Sequence, residues 1–264
     1  MGKLFAAILV VITAVSASFI IAHTWWLPTD ISVLGIGIDH QFGETMMATG
    51  IMFIGSQLVL AWFVWGSRDT ADRMVKIFPG GPTPMVVGAI VIVAVAIVVL
   101  SLVGSKVWAG IVMAPPDPAA IHIDVQAEQF AFYFRYPGPD GKFGKPHPDL
   151  IDDGSGNFFG LDPANDTAAR DDIVSASLVV PVNRPILLTL HAKDVGHSFY
   201  VPQLRIQQDF LPGIVIPVQF TATQVAKPEI VCTQLCGLGH FNMRAYLEVL
   251  PDSAYQAWLT AQSQ

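Results

Sequence analysis

Two cysteines, a histidine and a methionine lie within one twelve-residue segment of the chain. They are Cys232, Cys236, His240 and Met243, in the spacing Cys-x3-Cys-x3-His-x2-Met. Sulfur ligands together with an imidazole favour copper over Mg²⁺ or Ca²⁺, and a thioether argues against zinc, whose protein sites use Cys, His and carboxylate. Two thiolates close together can bridge two metal ions, so that one electron spreads over both. The segment therefore predicts an electron relay rather than a substrate site.

A copper pair held by these four side chains is one ligand short, so a second histidine must come from another part of the chain. The candidates are His191 and His197. His197 falls at a predicted strand-to-loop turn, where we expect an exposed site residue. His191 falls in an apolar alternating strand, which fits a packed or hydrogen-bonded histidine. The pattern favours His197. A disulfide between the two cysteines is the alternative, but so small a loop removes little entropy from the unfolded chain.

Three motifs together resemble subunit II of the haem-copper respiratory oxidases, which carries the CuA centre. They are Asp-Val-Gly-His-Ser-Phe at residues 194–199, Asp-Phe-Leu-Pro-Gly at residues 209–213, and the Cys-x3-Cys-x3-His-x2-Met segment. The resemblance covers residues 121–250 well and extends to two of the apolar segments that precede them. It implies N-terminal transmembrane α-helices, two or three in number, followed by an all-β cupredoxin-like Greek-key domain.

The resemblance also implies a role for each candidate ligand. Cys232 and Cys236 would bridge two coppers, His197 and His240 would each cap one, and Met243 would be a weak ligand. Gln234 would contribute its backbone carbonyl. The implied partners are a haem-bearing subunit I with other oxidase subunits, membrane lipid, and cytochrome c or another small electron donor. No catalytic residue is expected in this chain, since the haem-copper site belongs to another subunit.

The chain departs from the family pattern at two positions near the expected centre. Gln234 stands where many members have a Glu that helps to bind an interfacial Mg²⁺, so the resemblance does not extend to that ion. Phe130, in Gln-Phe-Ala-Phe at residues 129–132, stands where the family has the Trp that accepts electrons from cytochrome c. Phe130 is thus the expected electron-accepting position, by a different aromatic bridge. The alternative interpretation is that these aromatic residues simply pack in the core, and it fits Phe132 and Phe134 as well as a role in electron transfer does.

Composition and charge exclude some classes of protein. Hydrophobic residues make up 52% of the 264 residues and charged residues 13%, about half the charged fraction of an ordinary soluble domain, which is about 25%. A net charge of −7 argues against nucleic acid as a partner. Aspartates crowd the C-terminal half and suit either a solvated loop or a face that steers a basic partner: Asp149, Asp152, Asp153, Asp162, Asp166, Asp171 and Asp172.

Three apolar runs, near residues 4–22, 46–65 and 85–103, approach the ~20 residues that cross a bilayer as a helix. The first run also fits a cleaved signal peptide, because Lys3 precedes it and Val15-Ser16-Ala17 resembles a processing site; we favour a retained helix.

The loops between the runs predict the orientation of the chain. The loop between the second and third runs carries three positive charges, Arg68, Arg73 and Lys76. Positive charges favour the cytoplasmic side, so this loop is predicted to lie in the cytoplasm and everything after residue 103 outside. Tryptophans at the ends of the runs fit interfacial anchors: Trp25, Trp26, Trp65 and Trp108. The predicted location is a bacterial-type inner membrane with the copper domain on the periplasmic side.

The chain divides by pattern into a membrane region at residues 1–112, an outer β-domain at residues 113–253 and a tail at residues 254–264. Within the outer domain, short β-rich stretches broken by Pro and Gly predict an antiparallel sandwich or barrel. The stretches are residues 121–136, 177–182, 185–191, 214–222, 229–231 and 244–249. Residues 137–173 are rich in Gly, Pro, Asp and Asn and predict an insertion or an elaborated loop.

The favoured function is electron transfer from an external donor to haem in a partner subunit, which reduces O₂ and translocates protons. The nearest alternative gives the complex nitric oxide as substrate. A quinol oxidase subunit that has lost its copper, a membrane-tethered copper storage or delivery protein, and a disulfide-linked structural domain are further alternatives. Retention of every side-chain ligand argues against the quinol oxidase, and the absence of Cys-x2-Cys-His excludes a c-type haem on this chain.

Overall fold

The computed structural model describes residues 2–22, 27–66 and 83–262, which divide into two compact units. One unit comprises Met1–Trp26 with Gly37–Met113, and the other comprises Leu27–Ile36 with Ala114–Gln264. The loop cations Arg68, Arg73 and Lys76 and the tryptophans Trp25 and Trp26 lie outside the described residues. The orientation that they predict therefore stays a prediction.

The first unit is helical. Helix α1 spans Gly2–Ala22, α2 spans Val33–Gly66 and α3 spans Thr83–Val112. All three are long and apolar enough to cross a membrane. Helix α3 buries no residue against the rest of the protein, so its apolar surface suits lipid on every side. Both α2 and α3 extend beyond the apolar runs seen in the sequence, because polar turns continue the helix past the hydrophobic stretch.

The second unit is a sandwich of two five-stranded sheets. Its ten strands are β1 Ile121–Glu128, β2 Ala131–Tyr136, β3 Ile173–Ser175, β4 Leu178–Pro181, β5 Pro185–Ala192, β6 His197–Val201, β7 Ile206–Phe210, β8 Ile216–Thr221, β9 Glu229–Val231 and β10 Arg244–Leu250. One sheet has the order β3-β2-β1-β5-β8 and the other β4-β10-β9-β6-β7. A final helix, α4, spans Asp252–Gln262 and packs Trp258 against Tyr136 of β2, with ring centroids 4.9 Å apart.

The sandwich is not purely antiparallel, and in this respect the sequence-based prediction was wrong. Strand β1 pairs with β5 in parallel, and β4 pairs with β10 in parallel. Parallel neighbours need a crossover connection, and here the chain crosses between the two sheets before it returns. The alternation of apolar residues locates a strand in a sheet, but it carries no information about the direction of the neighbouring strand.

The core of the sandwich is built from the inward side chains of both sheets. In β1, Ile123, Val125 and Ala127 are fully buried, which is the period-two pattern of a strand with one face inside. Aromatic residues fill the space between the sheets, among them Phe134, Phe199 and Phe220. This packing fixes the strand ends from which the site residues project.

The segment between α1 and α2 belongs to the sandwich unit. The Ile31 N–H donates to the Gln203 carbonyl at 2.9 Å, and the Thr223 N–H donates to the Ile31 carbonyl at 2.7 Å. Ile31 itself is part of the hydrophobic core. The Ser32 hydroxyl donates to the Leu204 carbonyl at 2.9 Å and accepts the Gly35 N–H, as a residue that caps a helix N-terminus does. Residues far apart in sequence therefore share one core.

The insertion at residues 137–173 is ordered by its own aspartates. Six of its carboxylates accept backbone N–H groups of the insertion. Three accept from residues two or three positions along, as in Asx turns: Asp140, Asp152 and Asp162. Three accept from residues more than 20 positions away and so join the two ends of the insertion: Asp166, Asp171 and Asp172. Arg135 of β2 is buried and anchors the base of the insertion, since it donates to the Gly144 carbonyl and pairs with Asp124 and Asp172. The aspartates thus give the insertion its shape.

We expect Ile31→Ala to destabilise the sandwich by about 2–5 kcal/mol, because it removes a buried side chain and leaves a cavity. The measurement is hydrogen exchange of the slowest amides of β5 in the full chain, which reports global opening. Val33→Ala is the matched control, since Val33 is 53% exposed and should change stability by no more than about 0.5 kcal/mol. Equal exchange rates in the two variants would show that Ile31 is not part of the core.

Candidate metal centre

The segment that holds the cysteines is a loop between two antiparallel neighbours. Strands β9 and β10 pair Val231 with Arg244, and the Cys232 N–H donates to the Met243 carbonyl at 3.2 Å to close the base of the loop. Within it, the His240 N–H donates to the Gly237 carbonyl, and the Met243 N–H donates to the His240 carbonyl. These turns fold the loop so that Cys232 and Met243 at its ends lie close to Cys236 and His240 in its middle.

The four side chains of the loop converge on Cys236. Its Sγ lies 3.9 Å from Cys232 Sγ, 3.6 Å from His240 Nδ1 and 3.8 Å from Met243 Sδ. The Gln234 carbonyl oxygen lies 3.2 Å from Cys232 Sγ, while the Gln234 side chain is exposed. Both cysteines and Met243 are buried. The two thiols are free, and their separation is nearly twice the ~2.05 Å of a disulfide.

His197 reaches the same site from β6, which pairs antiparallel with β9 and begins at the end of the sheet where β9 leads into the cysteine loop. A ring nitrogen of His197 and the sulfurs of Cys232 and Cys236 all lie within 4.8 Å of one another. His197 is the first residue of β6 and is completely buried, so the expectation of an exposed turn residue was wrong. The β6 pairing with β7, which joins His197 to Phe210, draws the side chain into the end of the sandwich.

Asp194 determines which nitrogen of His197 faces the sulfurs. Its Oδ1 accepts the His197 Nε2–H at 2.8 Å and the Val195 N–H, and its Oδ2 accepts the Gln129 N–H at 2.8 Å. Burial opposes ionisation of Asp194, but these hydrogen bonds outweigh it and lower the pKa of the carboxyl group. An ionised carboxylate only accepts hydrogen bonds, so His197 Nε2 is the donor in this contact. His197 Nδ1 is left buried with no hydrogen-bond partner in the structure.

This donor set fits a soft metal ion. A buried polar atom without a partner costs free energy, and an imidazole nitrogen beside two thiols offers the donor types that soft metal ions prefer. Burial raises the pKa of the Cys236 thiol to about 11, with the neighbouring Cys232 adding to the effect, so a metal must displace protons when it binds. Among the described residues, His197, Cys232 and Cys236 are the one group of three or more His, Cys, Asp and Glu side chains close enough to hold an ion.

The other candidate histidine lies elsewhere. His191, in β5, has its Nε2 4.0 Å from Asp124 Oδ1. Burial lowers the pKa of His191, although the nearby Asp124 opposes the shift. This environment is that of a histidine packed on a sheet beside a carboxylate, and it agrees with the role expected from the alternating pattern.

Phe130 lies directly on the cysteine loop and remains 40% exposed. A Cβ atom placed on Gly239 would come 2.5 Å from its ring, and one placed on Gly237 would come 3.2 Å from it. The glycines of the loop therefore make room for the aromatic ring. The preceding residue, Gln129, donates from Nε2 to the Cys236 carbonyl at 2.6 Å. An aromatic side chain thus connects the surface to the backbone that carries the thiols.

Sequence reasoning assigned no role to Asp194, Gln129, Gly237 or Gly239, although each lies inside a motif that it used. Asp194 lies three residues beyond the predicted stretch at residues 185–191, whereas Gln129 falls inside the predicted stretch at residues 121–136, which the structure divides into β1 and β2. Their partners are far away in sequence, so their roles became visible only when the fold brought the strand ends together.

Comparison with known proteins agrees with this geometry. Residues 162–250 match the family model for the cytochrome c oxidase subunit II periplasmic domain. The chain is 30% identical over 262 residues to the alternative cytochrome c oxidase subunit 2 of Bradyrhizobium diazoefficiens, an alignment that covers 97% of this chain and 91% of the relative. The chain belongs to the cytochrome c oxidase subunit II family. The predicted family and the cupredoxin-like fold class are confirmed.

Further relatives match over shorter regions. Cytochrome c oxidase subunit 2 of Thermostichus vulcanus is 38% identical over 111 residues, which cover 42% of this chain and 33% of that protein. Among solved structures, the periplasmic domain of subunit II of the Bradyrhizobium japonicum cytochrome oxidase is 24% identical, covers 56% of this chain and 96% of the domain, and has a TM-score of 0.41. Members of the subunit II family belong to an oxidoreductase complex of several subunits, and the family implies copper at this site.

We expect Asp194→Ala to weaken copper binding by about 10–100-fold, the range typical when the partner of a metal-binding histidine is removed. The measurement is competition for copper between the protein and a chelator. Glu229→Ala is the control, because Glu229 is a half-exposed carboxylate on β9 that contacts Arg244. Wild-type affinity in Asp194→Ala would contradict the assignment of Asp194 as the residue that orients His197.

Proposed function

We propose that this chain is the electron-accepting subunit II of a haem-copper terminal oxidase. It takes electrons from an external donor such as cytochrome c and passes them to haem in subunit I, where O₂ is reduced and protons are translocated. The observation that carries the proposal is the buried, unpartnered Nδ1 of His197 beside two free thiols. The name of the relative that spans almost the whole chain, an alternative cytochrome c oxidase subunit 2, supports O₂ as the acceptor.

The proposed cofactor is a binuclear CuA centre. Cys232 and Cys236 would bridge the two ions, with His197, His240, Met243 and the Gln234 carbonyl as the remaining ligands. The sulfur separation of 3.9 Å and the presence of two histidines beside the cysteine pair support two ions rather than one. A copper pair bridged by thiolates shares one electron between both ions, so little rearrangement accompanies its arrival or departure. Interfacial Mg²⁺ forms no part of the proposal, because Gln234 offers no carboxylate.

The surface around the site supports contact with protein partners. Leu238 is 97% exposed and Phe241 is 90% exposed, and both lie on the loop that carries the ligands. Exposed apolar side chains in one place mark interaction sites. Phe130 lies against the same loop, so we propose that the donor docks there and that Phe130 is the electron-accepting position. Membrane lipid surrounds the helices, with the copper domain on the periplasmic side of a bacterial-type inner membrane.

Copper analysis of the purified chain should give two ions per chain, and the oxidised protein should show the electron spin resonance signal of a mixed-valence copper pair. Cys236→Ser should abolish this signal and the oxidation of the donor, because it removes one bridging sulfur. Thr233→Ser is the control, since it keeps an exposed hydroxyl on the same loop. A single copper per wild-type chain, or an unchanged signal in Cys236→Ser, would contradict the bridged pair.

The acceptor of the complex is tested separately. The purified complex should consume O₂ with reduced cytochrome c as donor, and nitric oxide reduction should be slower by at least about tenfold, a difference of about 1.4 kcal/mol in activation free energy. Gln234 and Phe130 are the departures from the family pattern that make nitric oxide the alternative. Faster turnover of nitric oxide than of O₂ would contradict the oxidase assignment and would indicate a nitric oxide reductase that uses the same copper subunit.

A further inference from the structure

The Lys193 side chain lies between two carboxylates that come from different parts of the chain. Its Nζ donates to Glu128 Oε2 at 2.6 Å, at the end of β1, and to Asp153 Oδ1, in the insertion at residues 137–173. Burial lowers the pKa of Lys193, but the hydrogen bonds to Asp153 and Glu128 outweigh it and raise the pKa overall. Glu128 is 7% exposed, so Lys193 is the cation that compensates a buried carboxylate.

Lys193 and Glu128 are next to the two residues that orient the metal ligands. The Lys193 N–H donates to the Ala127 carbonyl at 3.0 Å, and one step along, the Gln129 N–H donates to Asp194. Asp194 is hydrogen-bonded to His197, and Gln129 donates a hydrogen bond to the Cys236 carbonyl. The segments 127–129 and 193–194 are therefore joined by three consecutive contacts. The last of them joins Gln129 to Asp194, the two residues that touch a candidate ligand or its backbone.

The insertion presents Asp153 to Lys193 from a fixed position. Asp153 lies in a tight hairpin in which Asp152 pairs with Asn157. The adjacent Phe158 stacks on Tyr133 of β2 with ring centroids 3.5 Å apart, and its carbonyl accepts the Gln126 Nε2–H at 2.6 Å. This side of the insertion is thus docked on the outer face of the sheet that contains β1 and β2, directly beside the turn that leads to Phe130.

We propose that Lys193 is a positioning residue, through which the insertion holds the turn at residues 128–130 and Asp194 in place for His197 and Phe130. The inference rests on the proposed copper site for its functional meaning. Lys193 touches no ligand itself. Lys193 joins Asp153 of the insertion to Glu128 at the end of β1. The insertion therefore restrains the two segments that carry Gln129 and Asp194.

Removal of the ammonium group has a definite physical consequence. Without Lys193, Glu128 remains as a buried carboxylate with no cation, and Asp153 repels it. The turn must then open to let Glu128 reach water, and Gln129 moves with it because the two residues are adjacent. Loss of the Asp153 charge alone leaves the pair of Lys193 with Glu128 intact, so its effect should be smaller and in the same direction.

The test compares Lys193→Met, Lys193→Arg, Asp153→Asn and Lys227→Met in the full chain. Lys227 pairs with one carboxylate, Glu248, at 2.7 Å, before β9 and away from the cysteine loop. Both side chains are more exposed than Lys193 and Glu128, so Lys227→Met is the control for loss of a lysine elsewhere in the domain. Hydrogen exchange of the Gln129 and Val195 amides, both bound by Asp194, is measured in the copper-free protein. Copper loss to a chelator is measured in the loaded protein.

In Lys193→Met we expect both amides to exchange about tenfold faster, equivalent to about 1.4 kcal/mol, and copper to be lost faster by a similar factor. Asp153→Asn should give a smaller change, whereas Lys193→Arg and Lys227→Met should behave as the wild type. Wild-type exchange and copper loss in Lys193→Met would overturn the inference, as would an equal effect of Lys227→Met. If the wild type binds no copper pair, the proposed function fails, while faster exchange in Lys193→Met still upholds the link from the insertion to Asp194.

Discussion

The hydrogen bond between Asp194 and His197 sets the orientation of the imidazole on which the site depends. It holds Nε2 at the carboxylate and leaves Nδ1 buried without a hydrogen-bond partner. Around this nitrogen the fold gathers two thiols, a second imidazole and a thioether. Such a group is poorly stabilised by protein alone, because His197 Nδ1 is buried without a hydrogen-bond partner and burial raises the pKa of the Cys236 thiol. The arrangement is understandable as the protein half of a metal complex, in which the ion supplies the missing partner.

The sandwich supports this group because several strand ends and loops meet at one end of the domain. The loop at residues 232–243 closes between β9 and β10, β6 begins with His197, and the turn after β1 lays Phe130 on the loop. Rigid strands fix the starting points of three separate loops, and hydrogen bonds from Gln129 and Asp194 join them. Electron transfer requires little movement of the ligands, and a site assembled from strand ends and short turns meets that requirement better than one built on a long free loop.

Local chemistry was readable from the sequence, whereas long-range placement was not. The spacing of Cys232, Cys236, His240 and Met243 lies within one loop, so the sequence alone indicated a copper site. The choice of His197 over His191 could also be made, because the two residues lie in visibly different patterns. Burial of His197, the parallel pairing of β1 with β5, and the contact of Asp153 with Lys193 each depend on residues that are tens of positions apart. The aspartates of the insertion suggested a solvated loop by composition, although most of them bind backbone N–H groups.

The place of Ile31 in the core has a topological consequence. Leu27–Ile36 precedes two apolar helices in the chain, and the strands that it contacts follow them. Since one hydrophobic core cannot straddle a bilayer, both parts must end on the same face, and the chain between them must cross an even number of times. During synthesis, residue 31 is made long before its partner Thr223, so the β-sandwich reaches its complete core only after both intervening helices have been made.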